Sequence, residues 1–205
     1  MVEAVIFDIG NVLIEWQPER HYDSIMPRVA REAMFAEVDL HAMNDVIDRG
    51  GPFRETVAAC AARYPRWRDA ILRWHDDWLH MAAPEIPQSV RLLRALRARG
   101  VPVFALTNFG VETFALAQEH YPFLREFDRA FVSGHLRIAK PDPAIYERVE
   151  AETGLTGARI LFTDDRADNI ATAHIRGWKT HRFEGPEGWA ARLVAEGLLA
   201  AQDAD

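Results

Sequence analysis

Short, uninterrupted apolar runs punctuate this chain, and each one stops at a polar residue. Ala4-Val5-Ile6-Phe7 runs into Asp8, Val101-Pro102-Val103-Phe104-Ala105-Leu106 into Thr107-Asn108, and Arg159-Ile160-Leu161-Phe162 into Thr163-Asp164-Asp165. Runs this short, apolar at consecutive rather than alternate positions, fit strands buried on both faces. The second and third each follow a helical pattern closed by glycine. In the helix before the second, Val90, Leu92, Leu93 and Leu96 form the apolar side, Arg91, Arg94, Arg97 and Arg99 the wet side, and Gly100 the stop. Weaker strand signals lie at Ala130-Phe131-Val132 and Trp178-Lys179-Thr180-His181, and helical patterns fill Glu112 to His120, Pro143 to Thr153, Asp168 to Ile175 and Pro186 to Glu196. Strands alternating with helices predict an α/β fold around a parallel sheet.

Between Trp16 and Ile86 the pattern changes. Strand signals vanish and amphipathic helical patterns follow one another, which predicts a helical cap at 16–86 inserted into a core made of 1–15 and 87–205. Proline-bearing segments, Trp16-Gln17-Pro18 and Ala83-Pro84-Glu85-Ile86-Pro87, mark its two ends and suit hinges or linkers. Trp67, Trp74 and Trp78 recur at helical spacing and are expected to build the cap's own core. His75 and His80 lie roughly 140° apart around a helix, so they make a poor pair of metal ligands.

Composition narrows the function classes. The 205 residues are 49% hydrophobic and 27% charged, enough for one good core plus a small module. A formal charge of −7 argues against a nucleic-acid binder, because a phosphate backbone selects clustered Lys and Arg. Any anionic ligand must therefore be held by local positive groups. The single cysteine, Cys60, forms no intrachain disulfide and fits a reducing compartment. With no secretion-type leader and no apolar run of about 18 residues, the expectation is a cytoplasmic protein that spans no membrane, as a monomer or homodimer.

In a parallel sheet, ligands gather at the carboxyl ends of the strands, which is where Asp8, Thr107-Asn108 and Asp164-Asp165 fall. Lys140, in a loop before a helical pattern, adds an ammonium. Taken singly, each residue has a dull explanation as a turn former, a helix cap or a surface charge. Together they supply what phosphoryl transfer through an aspartyl-phosphate requires. Asp8 would attack phosphorus, while Asp164, Asp8 and the Gly10 carbonyl would offer hard oxygens to Mg²⁺. Thr107, Asn108, Lys140 and backbone N–H groups around Gly10 and Asn11 would face the phosphoryl oxygens. Lys140 would also offset the mutual repulsion of Asp8, Asp164 and Asp165.

Four segments carry a resemblance. Phe7-Asp8-Ile9-Gly10-Asn11-Val12-Leu13, Leu106-Thr107-Asn108, Lys140-Pro141-Asp142-Pro143-Ala144-Ile145-Tyr146 and Phe162-Thr163-Asp164-Asp165-Arg166-Ala167-Asp168-Asn169-Ile170 resemble the four ordered motifs of the haloacid dehalogenase superfamily. The resemblance implies a Rossmann-like core under a helical cap and a Mg²⁺-dependent phosphatase. It implies Asp8 as nucleophile, Thr107 and Lys140 as phosphate contacts, Asp164 as metal ligand and Asp165 as its support, with Asp168 and Asn169 capping or orienting the loop. The pattern is similar to a bacterial branch that includes alpha-D-glucose-1-phosphatase.

The chain departs from the family at Gly10, where most of its phosphatases carry a second aspartate that serves as acid and then base. General acid–base help is typically worth about 10² to 10⁴ in rate. Without it the enzyme is expected to favour leaving groups that need little help, such as the anomeric oxygen of a sugar 1-phosphate, and to hydrolyse its phosphoenzyme slowly unless Asn11 or Glu15 orients the water. The expected substrate is thus a small phosphorylated metabolite, with Trp16, Arg49, Gly50, Gly51, Arg54 and Phe109 as candidate pocket residues. A 2-haloacid dehalogenase is the rival enzyme, disfavoured because the Asp164-Asp165 pair suits a cation. A non-catalytic phospho-ligand-binding module is the rival from another class.

Overall fold

A computed structural model of the chain describes residues 1–203. Five parallel strands, β1 (Ala4–Phe7), β4 (Val103–Thr107), β5 (Arg129–Val132), β6 (Ile160–Asp164) and β7 (Lys179–Arg182), form one sheet in the order β5-β4-β1-β6-β7. The remaining strands, β2 (Ile14–Trp16) and β3 (Ala82–Glu85), pair antiparallel as a separate ribbon. Helices α1 (Pro18–Ile25), α2 (Arg28–Glu37), α3 (Leu40–Asp48), α4 (Phe53–Arg63), α5 (Arg68–Asp76) and α6 (Trp78–Met81) lie between the two ribbon strands. Helices α7 (Pro87–Ala98), α8 (Val111–His120), α9 (Ser133–Leu136), α10 (Pro143–Thr153), α11 (Ala167–Ile175) and α12 (Pro186–Ala195) connect and flank the sheet strands. None of the described helices is long and apolar enough to cross a membrane.

The consecutive apolar runs are explained by burial on both faces. Every residue of β1 is buried, and its side chains alternate between two layers. Val5 and Phe7 join a cluster with Leu92, Leu93, Trp189 and Leu193, whereas Ile6 joins Tyr146, Val149, Phe162 and Trp178 on the opposite side. The first cluster does not stop at the sheet. It runs on through Tyr22, Met34, Ile47 and Trp74 of the cap.

Local signals place several boundaries. Asp142 caps α10 by accepting the Ala144 N–H at 3.0 Å, Pro143 occupies the first turn, and Gly154 ends the helix in the left-handed region with φ 71°. One expectation fails in an informative way, because strand pairing joins the two ends of the insert: Trp16 ends β2 and Ala83-Pro84-Glu85 lie in β3, while Pro18 and Pro87 open α1 and α7. Ile14 aligns with Glu85 and Trp16 with Ala82, so the two crossings into the cap are tied together. The run Ile14-Glu15-Trp16 is too short for its alternation to stand out, and β3 carries a proline that reads as a breaker.

Candidate active site

The chain turns tightly as it leaves β1. The Ile9 carbonyl accepts the N–H groups of Leu13 at 2.8 Å and Ile14 at 3.1 Å, and Asn11 sits in the left-handed region with φ 56°. Asparagine tolerates that conformation when its side chain bonds locally. Here the Asn11 amide donates to Asp165 Oδ2 at 3.1 Å and its Oδ1 accepts the Trp16 N–H at 2.9 Å, joining the first loop to the last and to the ribbon.

Beside this turn, Asp8, Lys140 and Asp164 form a buried triad. The Lys140 ammonium lies 2.9 Å from Asp8 Oδ1 and 2.6 Å from Asp164 Oδ2. Asp164 also accepts from the Asn169 amide, at 3.0 Å and 2.9 Å to its two oxygens, and from the Arg166 N–H at 2.8 Å. The carboxylate oxygens of Asp8, Asp164 and Asp165 come within 4.8 Å of one another, a set of hard oxygen donors that fits a divalent cation. Burial pushes the Asp8 carboxyl up to about 7, with Asp164 adding to the rise and Lys140 opposing it. For Lys140 burial acts downward, but Asp164 and Asp8 outweigh it and hold the ammonium above its ordinary value. Asp165 is raised by burial, against the bond from Asn11.

Two of the expected phosphate contacts sit differently. The Asn108 side chain is used up by the backbone of Lys140, accepting its N–H at 2.8 Å and donating to its carbonyl at 2.9 Å, so it holds the lysine in place at the cleft edge. Thr107 ends β4 with 1% of its surface exposed and does not line the cleft. Asn169, expected only to orient its loop, proves to be the residue that grips both oxygens of Asp164. Its place in the first turn of α11, after the aspartate pair, was the available signal.

A cleft of about 390 Å³ rises from this floor. Trp16, Trp78 and Phe109 form its aromatic wall, with Trp78 and Phe109 in an edge-to-face contact at 5.5 Å. Trp16 and Phe109 were expected there, but Arg49, Gly50, Gly51 and Arg54 do not line it. The roof comes instead from one face of α3: His41, Asn44, Asp45 and Asp48. These positions follow the i, i+3, i+4, i+7 rule and lie beside the face that buries Leu40, Met43 and Ile47. A polar stripe of that spacing was legible in the sequence. Which face of α3 meets the floor is not legible there, because its docking rests on a contact as distant in sequence as Ser133 with Asp48.

The roof is seated firmly. Ser133 Oγ donates to the Asp48 carbonyl at 2.5 Å and accepts the Phe109 N–H at 2.9 Å. Glycines permit the approach, since a Cβ on Gly50 would meet the Gly134 carbonyl at 2.7 Å, and one on Gly110 would meet Ile47 Cγ2 at 2.6 Å. The tryptophans expected as cap core are buried. Trp74 is fully so, with its indole N–H on Asn44 Oδ1 at 3.1 Å, while Trp78 serves both core and cleft. His75 pairs with Asp76 and His80 stacks on His21, and the described residues contain no other cluster of metal-type ligands than the aspartate trio.

Residues 2–174 match the model of the haloacid dehalogenase-like hydrolases. The chain belongs to that family. Relatives of this hydrolase include a sesquiterpene phosphatase of Aspergillus oryzae, 34% identical over 42% of this chain and 44% of that protein. An (S)-2-haloacid dehalogenase of Pseudomonas sp. is 29% identical over 51% of the chain and 44% of that protein. The chain thus spans less than half the length of the first curated relatives it matches. An N-acetylmuramic acid 6-phosphate phosphatase of Pseudomonas aeruginosa matches along 95% of the chain and 91% of its own length, at 22% identity. Among solved structures, a HAD family enzyme of Bacteroides thetaiotaomicron shares the fold with a TM-score of 0.75 at 19% identity, covering 94% of this chain and 98% of that one. The same enzyme has been solved with magnesium and inorganic phosphate, in a form that matches with a TM-score of 0.70 at 18% identity over 90% of this chain and 96% of that one.

Proposed function

We propose that this hydrolase is a Mg²⁺-dependent phosphatase that takes the phosphoryl group of a small phosphorylated metabolite onto Asp8 and passes it to water. The observation that carries the reading is the convergence of Asp8, Asp164 and Asp165 within 4.8 Å, with the Lys140 ammonium bonded to the first two. Three carboxylates at such range repel an anionic substrate unless a cation joins them. Asp8, Asp164 and the Gly10 carbonyl would hold Mg²⁺, with Asp165 in support, and the ion supplies charge neutralisation and electrophilic help at the phosphoryl oxygens. That the Bacteroides enzyme was solved with magnesium and phosphate supports this choice.

The chain's own groups divide the remaining work. Asp8 presents one oxygen to phosphorus while Lys140 fixes the other at 2.9 Å, so the carboxylate is aimed before substrate arrives. Asn108 holds the Lys140 backbone from both sides, and Asn169 with the Arg166 N–H orients Asp164. The cleft is at the small end of ligand pockets, and it joins an aromatic wall to a polar roof. Those features suit a metabolite of sugar-phosphate size, with an apolar face for Trp16 and Trp78 and hydroxyls for α3.

A 2-haloacid dehalogenase would share the Asp8 nucleophile but has no use for Asp165 beside Asp164. Release of phosphate from a panel of phosphomonoesters, with Mg²⁺ and with chelator, tests the proposal. Turnover should require the ion, and Asp8→Asn should lose it by at least about 10³-fold, since the nucleophile is gone and the shape is kept. Metal-independent phosphate release, halide release from 2-haloacids, or full activity in Asp8→Asn would each overturn it.

A further inference from the structure

Gly10 leaves the phosphatase reading without the group that protonates the leaving oxygen and later activates water. The space is there, since a Cβ built on Gly10 meets nothing within 4 Å, and the residue faces the cleft. Neither of the substitutes legible from the sequence is free. Both ends of the Asn11 amide are bonded, and Glu15 is tied to Arg20 at 2.6 Å. On the roof, His41 pairs with Glu19 at 3.1 Å and Asp45 is exposed.

Resting on the phosphatase reading, we propose that Asp48 of the cap is the catalytic acid and base of this site, acting from the roof of the cleft in place of the side chain missing at Gly10. Asp48 ends the polar stripe of α3 and lines the same cleft as Asp8, Gly10 and Lys140. Its backbone is bolted to the core by Ser133, whose own partner, Phe109, follows the asparagine that holds Lys140. Its carboxylate accepts the Asn44 amide at 2.9 Å, and Asn44 is braced in turn by the Trp74 indole. A proton carrier must be fixed relative to the reacting atoms, and this chain of contacts fixes Asp48 to the floor although it belongs to the cap.

The electrostatic setting agrees. Burial pushes the Asp48 carboxyl up to about 7, Asp45 and Asp8 add to the rise, and the Gly110 N–H and Asn44 oppose it. Of the other charged or titratable groups facing the cleft, His41 lies on the same helix, Glu15 and Arg166 at the rim, and Lys140 and Asp165 on the floor. A carboxyl near neutrality can hold a proton for the first half of the reaction and lack one for the second.

The Asp8 oxygen bonds to phosphorus as the bond from phosphorus to the substrate oxygen breaks, and that oxygen takes the Asp48 proton and leaves as the alcohol. Asp48, now a carboxylate, takes a proton from water as the water oxygen attacks phosphorus. The Asp8–phosphorus bond breaks, inorganic phosphate leaves, and both aspartates return to their starting states. With this acid in place, the restriction to easily departing groups that Gly10 suggested no longer holds, and ordinary alcohol phosphates become substrates.

The test is rapid-quench kinetics of wild type and Asp48→Asn, with Mg²⁺, on p-nitrophenyl phosphate and on a simple alkyl phosphate. The amide keeps the shape of the carboxyl but carries no transferable acid proton. In the variant, nitrophenol should appear in a burst stoichiometric with enzyme at near wild-type rate, because nitrophenolate leaves unaided, followed by slow turnover. The alkyl phosphate should lose even the first turnover by about 10²- to 10⁴-fold. Adding Gly10→Asp to Asp48→Asn should recover part of the alkyl activity, a rescue that a merely structural role for Asp48 would not give. Equal slowing of both first turnovers, or none of either, overturns the assignment while the phosphatase reading stands. No Mg²⁺-dependent nitrophenol release by the wild type overturns both.

Discussion

Asp8 and Asp48 are both carboxyls pushed up to about 7, yet only for Asp8 does the chain itself indicate a place at the site. Asp8 closes an apolar run, so its place at a strand end follows from pattern alone. The importance of Asp48 comes from Ser133, Gly110 and the floor opposite, contacts that join residues far apart in sequence and leave no local trace. Its partial burial has a consequence for stability that is independent of catalysis. The folded pKa lies above the unfolded one, so the proton contributes stability that is full below the ordinary carboxylate range, falls as pH rises toward 7 and is gone above it. Asparagine carries no such proton. Relative to wild type, metal-free Asp48→Asn should therefore gain stability between about pH 4 and pH 7, by at most about 4 kcal/mol, and stay level above that. Urea titrations of the two proteins across this range measure it. A difference that does not change with pH would mean that Asp48 is solvated like an ordinary surface aspartate.

At the scale of elements, the sheet was the easiest part to read and the docking of α3 the hardest. Strands buried on both faces announce themselves as unbroken apolar runs, and β1, β4 and β6 lie within a residue or two of where the runs predict them. The ribbon of β2 and β3 has no such run, and its pairing is set by the cap it carries. The contact of α3 with the loop after β4 and with α9 depends on glycines, whose reason is steric and visible only when the partner is in place. Gly134 is the sharpest case. It sits in the short helix α9, where alanine is favoured by about 1 kcal/mol, yet a Cβ would meet the Phe109 carbonyl at 2.7 Å and the Val111 nitrogen at 2.8 Å. Backbone atoms cannot step aside cheaply, so Gly134→Ala should destabilise the protein by about 1–3 kcal/mol despite the better propensity. It should also lower phosphatase turnover, by shifting the start of α9, where Ser133 holds the Asp48 carbonyl. Thermal melts and a phosphate-release assay on the same preparation check both, and a stabilised variant would mean that the loop has slack.

At the scale of the whole molecule, the expectation was a core at 1–15 and 87–205 carrying a cap at 16–86 on proline hinges. The first limit falls within β2 and the second just past β3, and the apolar packing takes no notice of either. Tyr22, Ile47, Trp74 and Trp78 of the insert belong to the same buried cluster as Val5, Phe7, Leu93 and Trp189 of the sheet layer. Sequence pattern separates the two regions because it records which secondary structure each adopts, and the continuity between them exists only in three dimensions. Segments that share one core lose it together, because opening one strands apolar surface on the other. Unfolding in urea should therefore be a single transition. Tryptophan fluorescence gives one probe, with Trp67, Trp74 and Trp78 in the insert and Trp178 and Trp189 against the sheet, and far-ultraviolet circular dichroism gives another. Replacing Trp178 and Trp189 by Phe confines most of the emission to the insert and its entry strand, where Trp16 lies. If that emission still changes at the same midpoint and with the same slope as the dichroism, cap and sheet unfold as one unit. A cap signal that moves at lower urea, with the sheet intact, would instead describe a lid on hinges, and a firmly seated Asp48 would then be hard to sustain.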